Sequence, residues 1–304
     1  MNHSELFLDP KQMKVYKTKK ILFSIVLYSF LILVALFIII PFYYMLVTSL
    51  KTIEEINSDQ FIFFPRSWMW ENYSELFTNK NGTITKGISL WTMYKNTIIV
   101  AVLTTTGTII TVVLSAFAFA RLNFKGRELI FSILLMTMMI PGEIYVITNY
   151  QTIGSLGWRN TYQALVLPFV TSVFYTFFLR QTFKQIPNEL YLAAKVDGTS
   201  DFGYLIKIMI PIAKATIITI IILSMIGTWN AYVWPSLVTN DKSMYLVSNG
   251  LLEMFKGKVE QSGPDSILNV QMAGSTMVTV PLLIVFILLR KYIMSGVSRS
   301  GIKG

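Results

Sequence analysis

The sequence predicts an all-α membrane protein with six transmembrane helices. Of its 304 residues, 53% are hydrophobic and only 14% are charged, whereas soluble domains carry about 25% charged residues. This surplus of apolar side chains must face lipid. The apolar residues also form long continuous runs rather than short alternating strands. In lipid each backbone amide must be satisfied within its own segment, so these runs predict helices.

The first predicted span covers residues 21–48. Five lysines of the tail 1–20 precede an uncharged run of 30 residues, 21–50. As a helix this run would be about 45 Å long, against about 30 Å for the hydrocarbon core. It is also too long for a cleavable signal. We therefore expect a retained first helix that tilts or overshoots and bends near Pro41.

The other predicted spans follow from apolar runs that end at charged or polar residues. The second run stops before Arg121, the fourth stops before Arg180, and the sixth stops before Arg290. Pro211 precedes the fifth. The five spans are 97–120, 129–149, 161–179, 212–234 and 272–289.

Basic residues in the short loops predict the orientation of these spans. They concentrate in the N-terminal tail, in the loops after the second and fourth spans, and in the C-terminal tail, whereas segment 51–95 has five basic and five acidic residues. Both termini are therefore expected in the cytoplasm, as an even number of spans also requires. The net charge of +10 is accounted for by these membrane-flanking positions, so no nucleic-acid partner is expected.

This pattern divides the chain into four parts: a cytoplasmic tail 1–20, a first helix with its extracytoplasmic loop 21–91, a five-helix core 92–290, and a cytoplasmic tail 291–304. The extracytoplasmic loop is rich in aromatic residues, among them Trp68, Trp70 and Trp91. They fit an aromatic belt at the lipid headgroups or a small cap that meets an extracellular partner.

Few residues are suited to catalysis or metal binding. The chain has no cysteine and a single histidine, His3 in the polar tail, and no cluster of carboxylates stands in for them. We therefore expect no metal site and no catalytic residue. The phosphate-binding loop G-x-x-x-x-G-K-[ST] is absent as well.

Loop 186–211 is polar and lies between two apolar spans. Pro187 fixes the start of a short helix, Asn188 can cap its first turn, and Glu189 lies near the positive end of the helix dipole. Asp197 and Gly198 supply its end. The spacing places Leu190, Ala193, Ala194 and Asp197 on one face and Leu192 and Val196 on a neighbouring face. Such a helix either docks on a partner or lies on the inner leaflet.

The same loop resembles the signature loop of binding-protein-dependent ABC importer permeases, I-P-x-E-L-x-E-A-A-x-x-D-G-A followed by I-x-L-P. The chain differs at Leu192, where the family usually has glutamate, and at Thr199 and Ile210. The resemblance extends to most of the chain and is strongest to the maltose-system type of sugar permease subunit. The matching positions are Ile186, Pro187, Glu189, Leu190, Ala193, Ala194, Asp197, Gly198, Ile208 and Pro211, with 72–73, 96–97, 116–127, 139–141, 229–230 and 296–304.

This resemblance implies a type I ABC importer fold in the bacterial cytoplasmic membrane. The chain would be a transport subunit and not an enzyme, paired with a second permease subunit, two ATPase subunits and an extracytoplasmic solute-binding protein. ATP and Mg²⁺ would bind the ATPases, and this chain would bind no cofactor. The residues implied in ATPase coupling are Glu189, Leu190, Leu192, Ala193, Ala194, Asp197 and Gly198, with Lys303 and Gly304 in a tail that reaches the ATPase dimer.

Candidates for the substrate pathway are few. Glu143 and Tyr145 lie near Pro141 in the third span, and a charged residue inside a span is commonly functional. Trp229, Asn230 and Tyr232 lie with Trp234 at the end of the fifth span. Aromatic rings and amides suit a sugar, although both groups also fit the headgroup region. Gly107, among four threonines, is interpreted as a site of close helix packing.

The resemblance favours a carbohydrate cargo, in particular an oligosaccharide, with glycerol-3-phosphate or another small polar solute as the alternative. An ion-coupled carrier is a third possibility, but it requires intramembrane carboxylates or matched broken helices. The spans contain only Glu143, and no inverted repeat is visible.

Overall fold

The computed structural model describes residues 10–60 and 62–298. All regular secondary structure within these residues is helical, with no β-strand. Three helices are each long and apolar enough to cross a membrane unbroken: α1 (Pro10–Ser49), α4 (Leu90–Arg121) and α15 (Leu268–Ser298). The most apolar stretch of α1 contains no buried residue, and the helix meets the rest of the protein mainly at α15. The predicted first span is thus one helix, and it continues through Pro41.

Two bent helix pairs are also long and apolar enough to cross a membrane when each pair is taken as one span. In the predicted fourth span, α7 (Tyr162–Val166) and a 3₁₀ turn (Leu167–Phe169) meet α8 (Val173–Lys184) at 44°. Pro168 has no amide hydrogen, which favours the break. The predicted fifth span follows α12 (Lys214–Trp229), and residues 201–212 meet that helix at 80°.

The expectation of a continuous third span over 129–149 is wrong. The structure has α5 (Arg127–Thr137) and α6 (Glu143–Ser155), separated by a turn at residues 138–142. The 11 residues of α5 extend only about 17 Å, too short for a crossing. Pro141 and Gly142 lie in the turn and explain the break, since proline removes a helical hydrogen bond.

The remaining helices are short or lie beside the long ones. Near the predicted coupling loop are α9 (Asn188–Val196), α10 (Asp201–Tyr204), a π-helical turn (Leu205–Met209) and α11 (Ile210–Ile212). We call this the loop end. At the opposite end of α4 lie α2 (Ile53–Ile56), α3 (Glu71–Thr78), α13 (Val233–Val238) and α14 (Val247–Ser262), with 3₁₀ turns at Lys242–Met244 and Pro264–Ile267. We call this the cap end.

The aromatic segment after α1 folds as part of a cap. Asn72 Nδ2 donates to the carbonyls of Ser49 and Lys51 at 2.9 and 3.2 Å, and Asn269 Nδ2 donates to Asn72 Oδ1 at 3.1 Å. These buried amides join α1, α3 and α15. Trp68 and Trp70 nevertheless remain exposed and stack on each other with ring centroids 6.4 Å apart. The cap is therefore structured and also presents an aromatic surface.

Helix α4 is the centre of the packing, with α8 and α12 as its main neighbours. Thr105 Oγ1 donates to Ser224 Oγ at 3.1 Å, which joins α4 to α12. A Cβ added at Gly107 would lie 2.7 Å from Val170 Cγ1, so the predicted close packing at this glycine is confirmed. The buried residues at the loop end form one cluster that includes Val112, Ala116, Phe117, Leu179, Phe183, Ile186, Ala194, Tyr204, Leu205, Met209 and Ile220.

We predict that Gly107→Ala destabilises the protein by about 1–3 kcal/mol, the usual cost of overpacking, because the new methyl group would overlap Val170. Thermal unfolding in detergent, followed by circular dichroism, measures the loss. Gly142→Ala is the control, since a Cβ there meets nothing within 4 Å. Equal melting temperatures for the two variants would contradict the packing argument.

Candidate functional site

The predicted docking helix exists as α9, and its first turn differs from the prediction. Pro187, with an extended backbone (ψ 138°), occupies the N-cap position, and Asn188 is the first helical residue and makes no capping hydrogen bond. The fixed φ of proline already directs the chain into the helix, so the expected Asn188 cap does not form. Glu189 lies in the first turn as predicted, where the helix dipole favours a carboxylate.

The C-terminal end of α9 is a Schellman motif. The amide of Thr199 donates to the carbonyl of Ala194 at 2.8 Å, and that of Gly198 donates to Lys195 at 3.1 Å. Gly198 has φ +72°, a left-handed conformation that glycine adopts without strain. The stop predicted from Asp197 and Gly198 is thus confirmed, and it fixes where the chain leaves the helix.

The two sides of α9 differ from the predicted faces. Ala194 is only 6% exposed and packs in the loop-end cluster, and Tyr191 packs beside it. Leu192 and Val196 point away from the protein with 55% and 88% exposure. The predicted face is thus divided: Leu190, Ala193 and Asp197 are exposed, whereas Ala194 is buried, and its small side chain lets α9 lie close to the core.

A polar cluster holds α9 to α10. Tyr191 Oη donates to Asp201 Oδ1 at 2.7 Å, and Lys195 Nζ lies 2.7 Å from the same oxygen. The Lys195 ammonium, followed by the Tyr191 hydroxyl, lowers the pKa of Asp201, and Asp201 in turn raises the pKa of Lys195. The cluster therefore keeps its charges at neutral pH, and α9 and α10 are joined by them.

The connection from α9 to α12 runs through unusual backbone. The π-helical turn Leu205–Met209 follows α10, and the chain then bends by 80° before α12. Tyr204 and Met209 are fully buried in the loop-end cluster. Such π turns are frequent at functional sites. This backbone places α9 and the start of α12 on one packed unit.

Two arginines anchor the end of α8, from which the loop departs. Arg121 Nη2 donates to the carbonyls of Phe183, at 2.9 Å, and Ile186. The buried Arg180 donates to both carboxylate oxygens of Glu128 at 2.7 Å and to the Phe119 carbonyl at 3.0 Å. The sequence identifies Arg121 and Arg180 only as basic residues beside loops predicted to be cytoplasmic. It does not show their hydrogen bonds, because the partner residues are distant along the chain.

The structure places the substrate-pathway candidates on separate elements. Glu143 and Tyr145 lie exposed in the first turn of α6. At the end of α12, Trp229 Nε1 donates to the Val278 carbonyl at 3.3 Å, and its ring packs on Tyr94. Asn230 bonds back to Ile226 at 2.9 Å, and Tyr232 is exposed. Trp229 therefore has a packing role, whatever it does in transport.

A cavity of about 320 Å³ lies between α4, α8 and α12, and we call it the central cavity. None of the candidates just described lines it. Trp234, the fourth member of the aromatic group, does. Thr104 and Thr108, which flank the predicted packing position Gly107, also line the cavity. Only the arrangement of the three helices shows this. Its lining residues are Val100, Thr104, Thr108, Leu165, Phe169, Thr171, Ser172, Tyr175, Ser224, Gly227, Thr228, Ala231, Trp234, Pro235 and Leu246.

Two predicted coupling residues, Lys303 and Gly304, lie outside the described residues. Within the part of the chain that the structure describes, no group of three histidine or acidic residues comes together as a metal site.

Comparison with known proteins supplies the family. Residues 107–299 match the family described as "Binding-protein-dependent transport system inner membrane component", which is more than half of the chain. The chain belongs to this permease family. It is therefore an inner-membrane component of an ABC importer, a transport subunit and not an enzyme.

Two curated relatives cover nearly all of the permease. The sn-glycerol-3-phosphate transport system permease protein UgpE of Brucella abortus (strain 2308) is 32% identical over 267 residues, or 88% of this chain and 93% of the relative. The arabinooligosaccharides transport system permease protein AraQ of Bacillus subtilis (strain 168) is 29% identical over 287 residues, or 93% and 96%.

Solved structures agree with the fold. A chain from the crystal structure of a bacterial ABC transporter involved in the import of the acidic polysaccharide alginate superposes with a TM-score of 0.77 at 25% identity, covering 90% of this chain and 97% of that one. A chain from an alginate transporter in complex with an alginate pentasaccharide-bound periplasmic protein gives 0.60 at 13% identity, covering 92% and 97%, and supports the fold alone. The all-helical importer-permease fold predicted from the sequence is thus confirmed.

We predict that Gly198→Val disrupts the end of α9 more than Gly198→Asn does. Both side chains would meet open space, so only the backbone conformation distinguishes them, and asparagine tolerates a positive φ far better than valine. Hydrogen exchange of the 188–199 amides, measured by mass spectrometry on the purified protein, should be faster in Gly198→Val. Identical exchange in both variants would show that the Schellman motif does not hold this helix.

Proposed function

We propose that this permease forms half of the translocation pathway of an ABC importer for a carbohydrate, in particular an oligosaccharide. A second permease subunit completes the pathway, and an extracytoplasmic solute-binding protein delivers the cargo. Two ATPase subunits bind ATP and Mg²⁺ and drive the cycle. The observation that carries this proposal is α9, a short helix packed to the core on one side and free on the other.

The free side of α9 suits an ATPase cleft. Leu192 and Val196 are strongly exposed apolar side chains, and Glu189 adds a charge at the start of the helix. An apolar centre with a charged edge is the usual make-up of a protein interface. Because the family usually has glutamate where this chain has Leu192, we expect a more apolar contact here, with Glu189 as its main acidic group.

The inner side of α9 explains how a movement would reach the membrane. Ala194 packs in the loop-end cluster, and Arg121 holds the carbonyls of Phe183 and Ile186 just before the helix. A displacement of α9 therefore moves α8 and α12 with it. ATP binding would bring the two coupling helices of the assembly together and open the pathway outward.

We propose six crossings with both termini in the cytoplasm. The crossings are α1, α4, the broken pair α5 and α6, the bent pair α7 and α8, α12 with α13, and α15. The cap end then faces outward, where its exposed aromatic residues lie near the headgroups and the binding protein. The excess of Lys and Arg at the loop end supports this orientation.

The relatives support two kinds of cargo. AraQ of B. subtilis bears the name of an arabinooligosaccharide permease, which favours a carbohydrate. UgpE of B. abortus bears the name of an sn-glycerol-3-phosphate permease at slightly higher identity, which favours the alternative. The binding protein that pairs with this permease determines which solute reaches it.

We predict that Ala193→Glu abolishes stimulation of ATP hydrolysis by the loaded binding protein, because a charged side chain on exposed α9 would have to be buried in the ATPase cleft. The measurement is ATPase activity of the reconstituted complex with and without the binding protein. We expect a loss of more than about tenfold, as for the burial of an unpaired charge.

Ala193→Ser is the matched control, since it adds a small polar group at the same position and should retain stimulation. Both variants should insert in the membrane in equal amounts. Stimulation at the wild-type level in Ala193→Glu would remove α9 from the coupling contact.

A further inference from the structure

The side chains that line the central cavity have no part in the proposed coupling to the ATPase subunits. Its volume of about 320 Å³ lies at the lower end of the range for ligand pockets, about 300–1,000 Å³. Hydroxyl groups from α4, α8 and α12 converge on it. Seven of its lining residues carry one: Thr104, Thr108, Thr171, Ser172, Tyr175, Ser224 and Thr228.

Several of these hydroxyls can still bind a ligand. Thr104 lines the cavity and is only 4% exposed, and its Oγ1 is buried without a hydrogen-bond partner. Rotation of this side chain toward the cavity would therefore offer a polar ligand a donor without breaking an existing hydrogen bond. Thr108 and Thr228 donate their protons to the carbonyls of Phe169 and Ser224, both at 3.0 Å. Their oxygen lone pairs remain available as acceptors. The cavity therefore offers both a donor and acceptors, as a polyol requires.

One wall of the cavity is aromatic and fixed. Trp234 Nε1 donates to the Ala164 carbonyl at 2.9 Å, and the Trp234 ring meets Phe169 edge to face with centroids 5.9 Å apart. These contacts hold the indole before a ligand arrives, which lowers the entropy cost of binding. An apolar aromatic wall opposite hydroxyl groups suits a sugar ring, which has C–H faces and a polar rim.

Among the residues that the structure describes, none that lines the cavity is charged. A phosphate ester carries about −1.5 to −2 charges at pH 7, and burying it without a counter-charge is strongly unfavourable. The N-terminus of α8 reaches the cavity, but its dipole is equivalent to only about half a positive charge. In addition, Ser172 Oγ already accepts the Tyr175 amide at 3.2 Å. The remaining amides of that turn can donate to neutral hydroxyl oxygens.

We propose that the central cavity is a cargo subsite for an uncharged carbohydrate and disfavours phosphate esters and sugar acids. The inference rests on the proposed importer function and narrows its cargo. The named relatives include permeases for both neutral and charged solutes, so family membership alone does not decide this point. The cavity supplies the argument, because its hydroxyls and indole are contributed by this chain.

Two threonines of α12 provide a matched test. Thr228 lines the cavity, whereas Thr219 is fully buried on the same helix and lies outside it. Each donates to the carbonyl four residues earlier at 3.0 Å. Thr228→Val and Thr219→Val each remove one such hydroxyl, the first inside the cavity and the second outside it. Thr104→Val tests the unpartnered hydroxyl directly.

The assay is ATP-dependent uptake by the complete reconstituted complex with its binding protein. Radiolabelled neutral arabino-, malto- and xylo-oligosaccharides are compared with sn-glycerol-3-phosphate. We expect uptake of a neutral sugar, with an apparent KM raised about three- to tenfold in Thr104→Val and Thr228→Val, the effect of one lost hydrogen bond. Thr219→Val should stay within about twofold of the wild-type KM, as expected for a site without ligand contact.

The outcomes separate the two proposals. Neutral-sugar uptake with unchanged KM in Thr104→Val and Thr228→Val would overturn the subsite and leave the importer function standing. A lower KM in those variants would likewise overturn the subsite. Uptake of sn-glycerol-3-phosphate without any neutral sugar would overturn the uncharged cargo. Failure of the wild-type complex to take up any of these probes would refute the carbohydrate importer and the subsite together.

A direct binding measurement uses the absence of cysteine from the natural sequence. Thr228→Cys gives this chain a single thiol in the cavity, and Ser262→Cys gives one at the exposed end of α14, outside the cavity. In the assembled complex, the transported oligosaccharide should slow maleimide labelling of Thr228→Cys several-fold and leave that of Ser262→Cys unchanged. Protection of neither thiol, at sugar concentrations that saturate uptake, would count against the subsite.

Discussion

The guanidinium group of Arg121 ties the end of α4 to the Phe183 and Ile186 carbonyls at the end of α8. The position of α9 depends on this contact, because α9 begins two residues after Ile186. Arg180 and Glu128 strengthen the same region by holding α8 against α5. A helix of nine residues is marginal by itself. Its orientation is therefore set by the anchored helix before it and by the core beneath Ala194.

The bilayer explains why the rest of the protein is built as it is. Lipid offers no hydrogen bonds, so backbone groups freed at helix breaks must be satisfied by protein or lie beside a cavity. The bend between α7 and α8 follows this rule: Thr108 and Thr111 of α4 donate their hydroxyls to the carbonyls of Phe169 and Val170. The same break brings Phe169, Thr171 and Ser172 to the central cavity. One interruption thus serves both packing and the cavity.

The two ends of α4 have different chemistry, and this suits a subunit that works between two compartments. At the loop end, arginines and a carboxylate join the helices, and an apolar stripe of α9 stays exposed. At the cap end, the buried amides of Asn72 and Asn269 join α1, α3 and α15 through neutral hydrogen bonds. The central cavity lies between them and is neutral.

The sequence by itself determined the class of protein, the positions of most apolar helices, the short helix of loop 186–211 and its end at Gly198. These features depend on local properties: runs of apolar residues, the fixed φ of Pro187, and the left-handed conformation of glycine. It also identified Gly107 as a packing position. A family resemblance in residues 186–211 then pointed to the importer permeases, which agrees with the family match.

The break in the third predicted span has a local cause in Pro141 and Gly142, whereas only the tertiary structure decided the burial of Ala194 and the central cavity. Helical periodicity places Ala194 and Leu190 on one side of a helix, but it does not say where the core lies. The threonines of α4 are ordinary packing residues in sequence, and they line a cavity because α8 and α12 bend around them. Contacts such as Thr104 with the cavity or Arg121 with Ile186 join residues far apart in the chain, and local pattern carries no information about them.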